Sequence, residues 1–129
     1  MAATKKTGTA GEDDLLLASI AHIGGLFIPV VVPLLIWVTA KRSSRYRILQ
    51  AKQATVYQLT VVAVVLALMA ASTLLSPLVC LGAPTFIFAL VVGFGAVVYG
   101  FYGGYQAYLG RPFSYRYVNQ LVDGNAQAP

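Results

Sequence analysis

His22 is the single imidazole of the chain, and it stands inside a long uncharged stretch, residues 15–40. An ionisable ring at such depth needs a partner to offset its desolvation, so it is the first candidate for a functional group. Pro29 and Pro33 follow it. Each removes a helical N–H and crowds the preceding turn, so a kink beside the histidine is expected, and a kink next to an imidazole can open a small cavity. Two readings compete for His22: a neutral ring hydrogen-bonded between helices, and a proton-linked or ligand-holding site. Gln58, Tyr57 and Thr60 are candidate partners, but antiparallel packing puts them at the opposite end of the second span, so Ser72 or Thr73 is the expected one. Catalysis has little else to draw on. Ser19, Ser72 and Ser76 have no carboxylate nearby, Cys80 is the lone cysteine, and there is no phosphate-binding loop, dinucleotide fingerprint or metal-spaced cluster. No enzymatic activity, metal or cofactor is expected.

Two sets of small residues repeat at helical spacing. Ala96, Gly100 and Gly104 form one stripe and Ala63, Ala67 and Ala71 another; such stripes let backbones approach closely, so the two are expected to pack together, with a homodimer through the glycines as the competing use. Tyr99, Tyr102, Tyr105 and Tyr108 recur every third residue. The last two read as anchors at the membrane–water boundary, and the deeper two need an acceptor or a partner ring.

Positioning these residues is a matter of how the chain crosses a bilayer. Of the 129 residues 58% are hydrophobic and only 10% charged, far from the balance of a soluble domain. Residues 15–40 contain 26 uncharged positions, which as helix reach about 39 Å and span a hydrocarbon core of about 30 Å. Residues 53–110 would reach about 87 Å as one helix, so they must fold back. Ser76-Pro77 and Gly82-Ala83-Pro84 mark the reversal. The expected architecture is an all-α membrane protein of three transmembrane helices near 15–40, 54–76 and 85–109, forming one membrane domain over 15–122 between polar tails at 1–14 and 123–129. A cleaved signal peptide fits poorly, because Glu12-Asp13-Asp14 stands where positive charge would be needed.

Three spans put the two ends of the chain on opposite sides. Lys41, Arg42, Arg45, Arg47, Lys52, Arg111 and Arg116 then face the side opposite Lys5 and Lys6, which places the 41–52 loop and the C-terminus in the cytoplasm and the N-terminus outside the cell (inner) membrane. Lys41 to Gln53 reads as a basic amphipathic interfacial segment, with Tyr46, Ile48 and Leu49 at the acyl boundary and the cations at anionic headgroups, each worth about 1 kcal/mol. Phe113, Tyr117 and Leu121, with Val118 and Val122, read as a second such segment. Orientation accounts for the positive charge, so nucleic acid is not an expected partner.

Four motifs carry a family resemblance: Ala21-His22-Ile23-Gly24-Gly25-Leu26, Pro33-Leu34-Leu35-Ile36-Trp37, Gln50-Ala51-Lys52-Gln53-Ala54, and Ala107-Tyr108-Leu109-Gly110-Arg111-Pro112-Phe113-Ser114-Tyr115. In this order the chain resembles, over residues 15–118, the small membrane family of unknown function grouped with the Tic-twenty-like component of the plastid import translocon. The resemblance implies a membrane body without an assigned chemistry, and a transport role only through the plastid relatives. That family usually has His where Gln50 stands and acidic residues where this chain has Arg45 and Arg47, which makes this loop uniformly basic. The role expected is a structural or accessory subunit of a membrane complex, or a homo-oligomer. The alternatives are a transport or translocation component working as an oligomer, and a membrane anchor that recruits a cytosolic partner through its basic loop.

Overall fold

The structure, a computed structural model, describes residues 11–25, 27–111 and 113–118. Its helices are α1 (Glu12–Gly24), α2 (Val31–Thr39), α3 (Arg45–Leu74) and α4 (Val79–Tyr108), and Arg116–Val118 are again helical. Helices α3 and α4 have 30 residues each, about 45 Å, enough to cross a bilayer with tilt. Helices α1 and α2 have 13 and 9 residues, about 20 and 14 Å, and neither can cross.

The expected single span over 15–40 is therefore corrected to a hairpin of two short helices. Asp14 pairs with Arg47 at 3.6 Å, and farther along α1 the backbone of Ala21 and His22 meets Gln58, so α1 runs parallel to α3. It is antiparallel to α4, with Leu15 beside Gly110 and Ile23 beside Gly104. Helix α2 then comes back along α3, packing Ile36 and Trp37 on Ala51 and Ala54. Consequently the start of α1, the start of α3 and the end of α4 all lie at one end of the molecule. Glu12 to Asp14 therefore lie at the same end of the molecule as the start of α3, not at the opposite end as an uninterrupted first span would put them; the rest of the N-terminal tail, with Lys5 and Lys6, lies outside the described residues.

The break has a local cause. Three acidic residues in the first turn suit the positive end of the α1 dipole, and the helix stops at Gly24-Gly25, where α2 comes so close that a Cβ on Gly24 would sit 2.7 Å from Val32 Cγ1. Pro29 has no N–H to continue a ladder. Val30 takes φ 68° and ψ −43°, a γ-turn of the rare left-handed kind in which Val31 N–H donates to Pro29 O at 2.8 Å. Pro33 then falls in the first turn of α2, where its missing N–H is not needed. The prolines terminate and restart a helix; they do not kink a continuous one.

The α3–α4 reversal needs only Leu75 to Leu78. Gly82-Ala83-Pro84 lies inside α4, where a long helix loses one bond to proline, and Ser72 Oγ donates to Gly82 O at 2.9 Å. Basic residues 45–52 are the first turns of α3 and not a separate interfacial helix, because nothing breaks the ladder between Arg45 and Leu74.

Polar and apolar residues are distributed as a lipid solvent demands. His22, Gln50, Gln53, Thr55 and Gln58 are buried, whereas Leu59, Leu66, Phe94 and Val98 on the two long helices are exposed. The small residues do not pair as expected. Ala63 and Ala67 are exposed. Gly100 and Gly104 are buried, and a Cβ on Gly104 would lie 2.5 Å from Ile23 Cγ1. Gly104 thus receives helix α1, while Ala96 O accepts from Tyr57 of α3; the single-span reading did not contain α1 as a separate helix.

Candidate functional site

The polar core gathers three separate parts of the chain: α1, α3 and the segment after α4. His22 Nδ1 lies 2.8 Å from Tyr115 Oη and His22 Nε2 lies 3.1 Å from Gln50 Oε1. His22 stands in α1, outside both long helices, and burial lowers its pKa to about 4, the Gln50 bond offsetting part of the shift. The ring is thus neutral at pH 7, and because an amide oxygen can only accept, its proton sits on Nε2 and Tyr115 O–H donates to Nδ1. Tyr115 is 2% exposed, and burial raises its phenol pKa, reinforced by Tyr57 and Tyr99 nearby. Tyr115 N–H donates to Gln53 Oε1 at 3.3 Å. The segment after α4 is thereby anchored to α3 by its backbone and to α1 by its side chain.

Aromatic rings surround this triad. Tyr57 and Tyr115 stack with centroids 3.8 Å apart at 2°, Phe113 meets His22 edge-on at 5.9 Å, and Tyr99 stands against Tyr57, Phe113 and Tyr115. The deeper tyrosines of α4 do face partner rings, and Tyr105 and Tyr108 point outward. Phe113 is half-buried and Tyr117 exposed; Leu121 and Val122, the rest of the second amphipathic edge, lie outside the described residues.

Gln58 closes the tip of the α1–α2 hairpin. Its Nε2 donates to Ala21 O and His22 O at 3.4 and 3.3 Å, and its Oε1 accepts from Val30 N–H at 2.9 Å. Helix ends and turns leave such groups unpaired, and in a membrane only protein can satisfy them. Below the tip is a cavity of about 110 Å³, lined by Pro29, Tyr57, Gln58, Gly93 and Ala96 among others.

Sequence reasoning placed His22 near Ser72 and Thr73, but those hydroxyls bond Gly82 O and Met69 O, because α1 turns back before reaching them. It set Gln58 aside because an uninterrupted first span put that residue at the far end, whereas Gln58 bonds the backbone of Ala21 and His22, and it did not single out Tyr115, Gln50 or Gln53 as His22's setting. The available signal is that the three glutamines, spaced by three and five, share one side of α3 with Ala51 and Ala54. Of the cations, Arg47 pairs with Asp14 and Lys52 Nζ stands 6.0 Å from the Trp37 ring centroid. Arg42 and Arg45 border a hollow floored by Ile48 and Leu49, and Lys41, Arg111 and Arg116 are exposed at the same end. Tyr46 Oη holds that end together by donating to Ala107 O at 2.9 Å and Arg111 O at 3.2 Å.

A profile of the magnetosome magnetite crystal formation protein family, MamF_MmsF, matches residues 13–122. No curated protein and no solved structure matches the chain. The resemblance to the Tic-twenty-like family is thereby corrected: its four short motifs lie inside the matched stretch and contain the hairpin tip at Gly24-Gly25, the buried Pro33, and Gln50 against His22. They are positions that this packing requires. Spanning 110 of the 129 residues, the match shows that the chain belongs to the MamF_MmsF family of magnetosome magnetite crystal formation proteins.

Proposed function

We propose that the protein is a non-enzymatic accessory subunit of the magnetosome membrane that supports magnetite crystal growth through contacts with lipid and with other membrane proteins. One observation carries this reading: His22, Tyr115 and Gln50 are engaged with one another and Gln58 with the backbone of the hairpin tip, while large apolar side chains cover the outside of both long helices. A polar core of that kind fixes a shape, and the exposed surface is what remains for lipid and partners. We further infer that the end bearing Arg42, Arg45, Arg111 and Arg116 faces the cytoplasm and anionic headgroups, and that the Leu75–Leu78 turn faces the interior of the vesicle.

The test is deletion of the gene from a magnetosome-forming host and its replacement by the intact gene, with crystal sizes measured by electron microscopy and the protein followed by membrane fractionation. Smaller or misshapen crystals, restored by the gene, and recovery with purified magnetosome membranes are expected. Unchanged crystals, or a protein confined to other membranes, would overturn the reading. Cysteines placed at Ser44 and at Ser76 read the orientation: Ser44→Cys should be labelled from the cytoplasm and Ser76→Cys from the opposite side.

A further inference from the structure

We propose that Tyr115 and His22 form a one-electron redox site, in which an oxidised Tyr115 passes its phenolic proton to His22 and persists as a neutral tyrosyl radical. The argument is one of geometry. A phenol loses an electron readily only when its proton has a base within hydrogen-bond reach, and Tyr115 Oη stands 2.8 Å from an imidazole nitrogen whose other side is held by Gln50 Oε1. The tautomer is already the required one, with Nδ1 free to accept. Gln50 Oε1 can accept from the Nε2–H of the imidazolium just as it does from the neutral ring, so the transfer needs no rearrangement.

The neighbouring tyrosines lack this. Tyr57 O–H donates to Ala96 O and Tyr46 O–H to Ala107 O, backbone carbonyls that take no proton at ordinary pH, and Tyr102 Oη accepts from Gln106 Nε2. They do supply a route. Tyr102 is half exposed and stacks on Tyr99 with centroids 6.5 Å apart; Tyr99 stands 5.3 Å from Tyr115 and 6.0 Å from Tyr57, itself stacked on Tyr115. A hole that arrives at the surface ring can hop inward and settles where the proton can leave. Burial then protects it, since a radical on a ring 2% exposed cannot couple with another.

The step balances with an oxygen-centred radical as oxidant. The radical takes one electron and becomes its anion; the Tyr115 O–H bond breaks, its proton forms a bond to His22 Nδ1, and the products are a phenoxyl radical and an imidazolium. A ferrous ion restores the pair by giving one electron to the phenoxyl oxygen, which recovers the proton from His22 while the ion becomes ferric. Ferrous ion as reductant rests on the proposed role in magnetite formation; the oxidation step does not.

The test uses the full chain in detergent, oxidised in a flash by tris(bipyridine)ruthenium with persulfate and frozen for electron paramagnetic resonance. A long-lived tyrosyl signal is expected that Tyr115→Phe reduces at least tenfold and that His22→Leu shortens at least tenfold in lifetime, while Tyr105→Phe leaves it unchanged. An equal, equally persistent signal in a monodisperse Tyr115→Phe protein would overturn the proposal. High-field spectra of the unaltered chain decide the matter without a substitution: a gx value lowered by a hydrogen bond to the phenoxyl oxygen supports the site, and a gx value of an unbonded radical, or no tyrosyl signal, refutes it. The photochemical assay contains no iron, so its failure is separate from a failure of the crystal-growth phenotype.

Discussion

Replacing Gln58 with leucine removes the clamp on the hairpin tip at nearly constant volume. The Val30 N–H loses its 2.9 Å acceptor, and the carbonyls of Ala21 and His22 lose a donor that they share at 3.4 and 3.3 Å. An unsatisfied buried polar group costs about 1–3 kcal/mol. Counting the shared donor once gives two such losses, about 2–6 kcal/mol in all, and the leucine recovers about 1 kcal/mol by contact with the apolar walls of the cavity. A net loss of about 3 kcal/mol is expected. The left-handed γ-turn at Val30 makes the tip the place where the loss shows, because nothing else described there holds the strained N–H. Thermal unfolding in detergent, followed by size-exclusion chromatography, reads the stability, and amide hydrogen exchange of the peptide covering Val30 reads the location. A Gln58→Leu protein within about 0.5 kcal/mol of the parent, with the tip exchanging at its original rate, would refute the clamp and with it the account of why the hairpin is held.

Further predictions test other contacts. Because the folded pKa of His22 is lowered to about 4 from 6.5, the unfolded chain binds the extra proton first, so stability is fully present above pH 6.5 and is lost as pH falls; between pH 7.5 and 5 the loss should be about 2 kcal/mol, and a His22→Leu protein should show a flatter profile. Gly104→Ala should destabilise by about 1–3 kcal/mol, since the new Cβ would meet Ile23 Cγ1 at 2.5 Å and Ser19 O at 3.3 Å, while Gly95→Ala, with open space around it, should be neutral in the same thermal assay. Arg47→Gln should cost under about 1 kcal/mol, because the ion pair with Asp14 is long and partly open to solvent; a larger loss in denaturant titration would show that the pair anchors α1.

Composition alone made the helical, lipid-soluble character of the chain legible, and the absence of charge over 53–110 pointed to the α3–α4 hairpin; the two C-terminal ends fall within two residues of those expected, but α3 begins at Arg45 rather than 54 and α4 at Val79 rather than 85. The first uncharged stretch misled for a physical reason. Hydropathy measures whether a segment dissolves in acyl chains, and a hairpin that enters and returns dissolves as well as a rod that crosses. Gly24-Gly25 and Pro29 were visible, but whether they bend a helix or end it depends on a partner for the freed backbone groups, and that partner is Gln58, 28 residues beyond Val30. The site was obscured in the same way. His22 was conspicuous by itself; its partner Tyr115 lies 93 residues away, after a span that no local periodicity connects to the first helix. The glutamines of α3 were the one local sign that this side of an apolar helix faces protein.

The uncharged turn Leu75–Leu78, together with a hairpin that goes in and comes back, has a consequence for biogenesis. Every charged residue described gathers at one end of the molecule, so on the proposed orientation insertion drags no ion through oil, and the hairpins can settle from one face. A tag fused before α1 should therefore remain on the same side as one fused after Tyr117, and neither should need an export channel to get there.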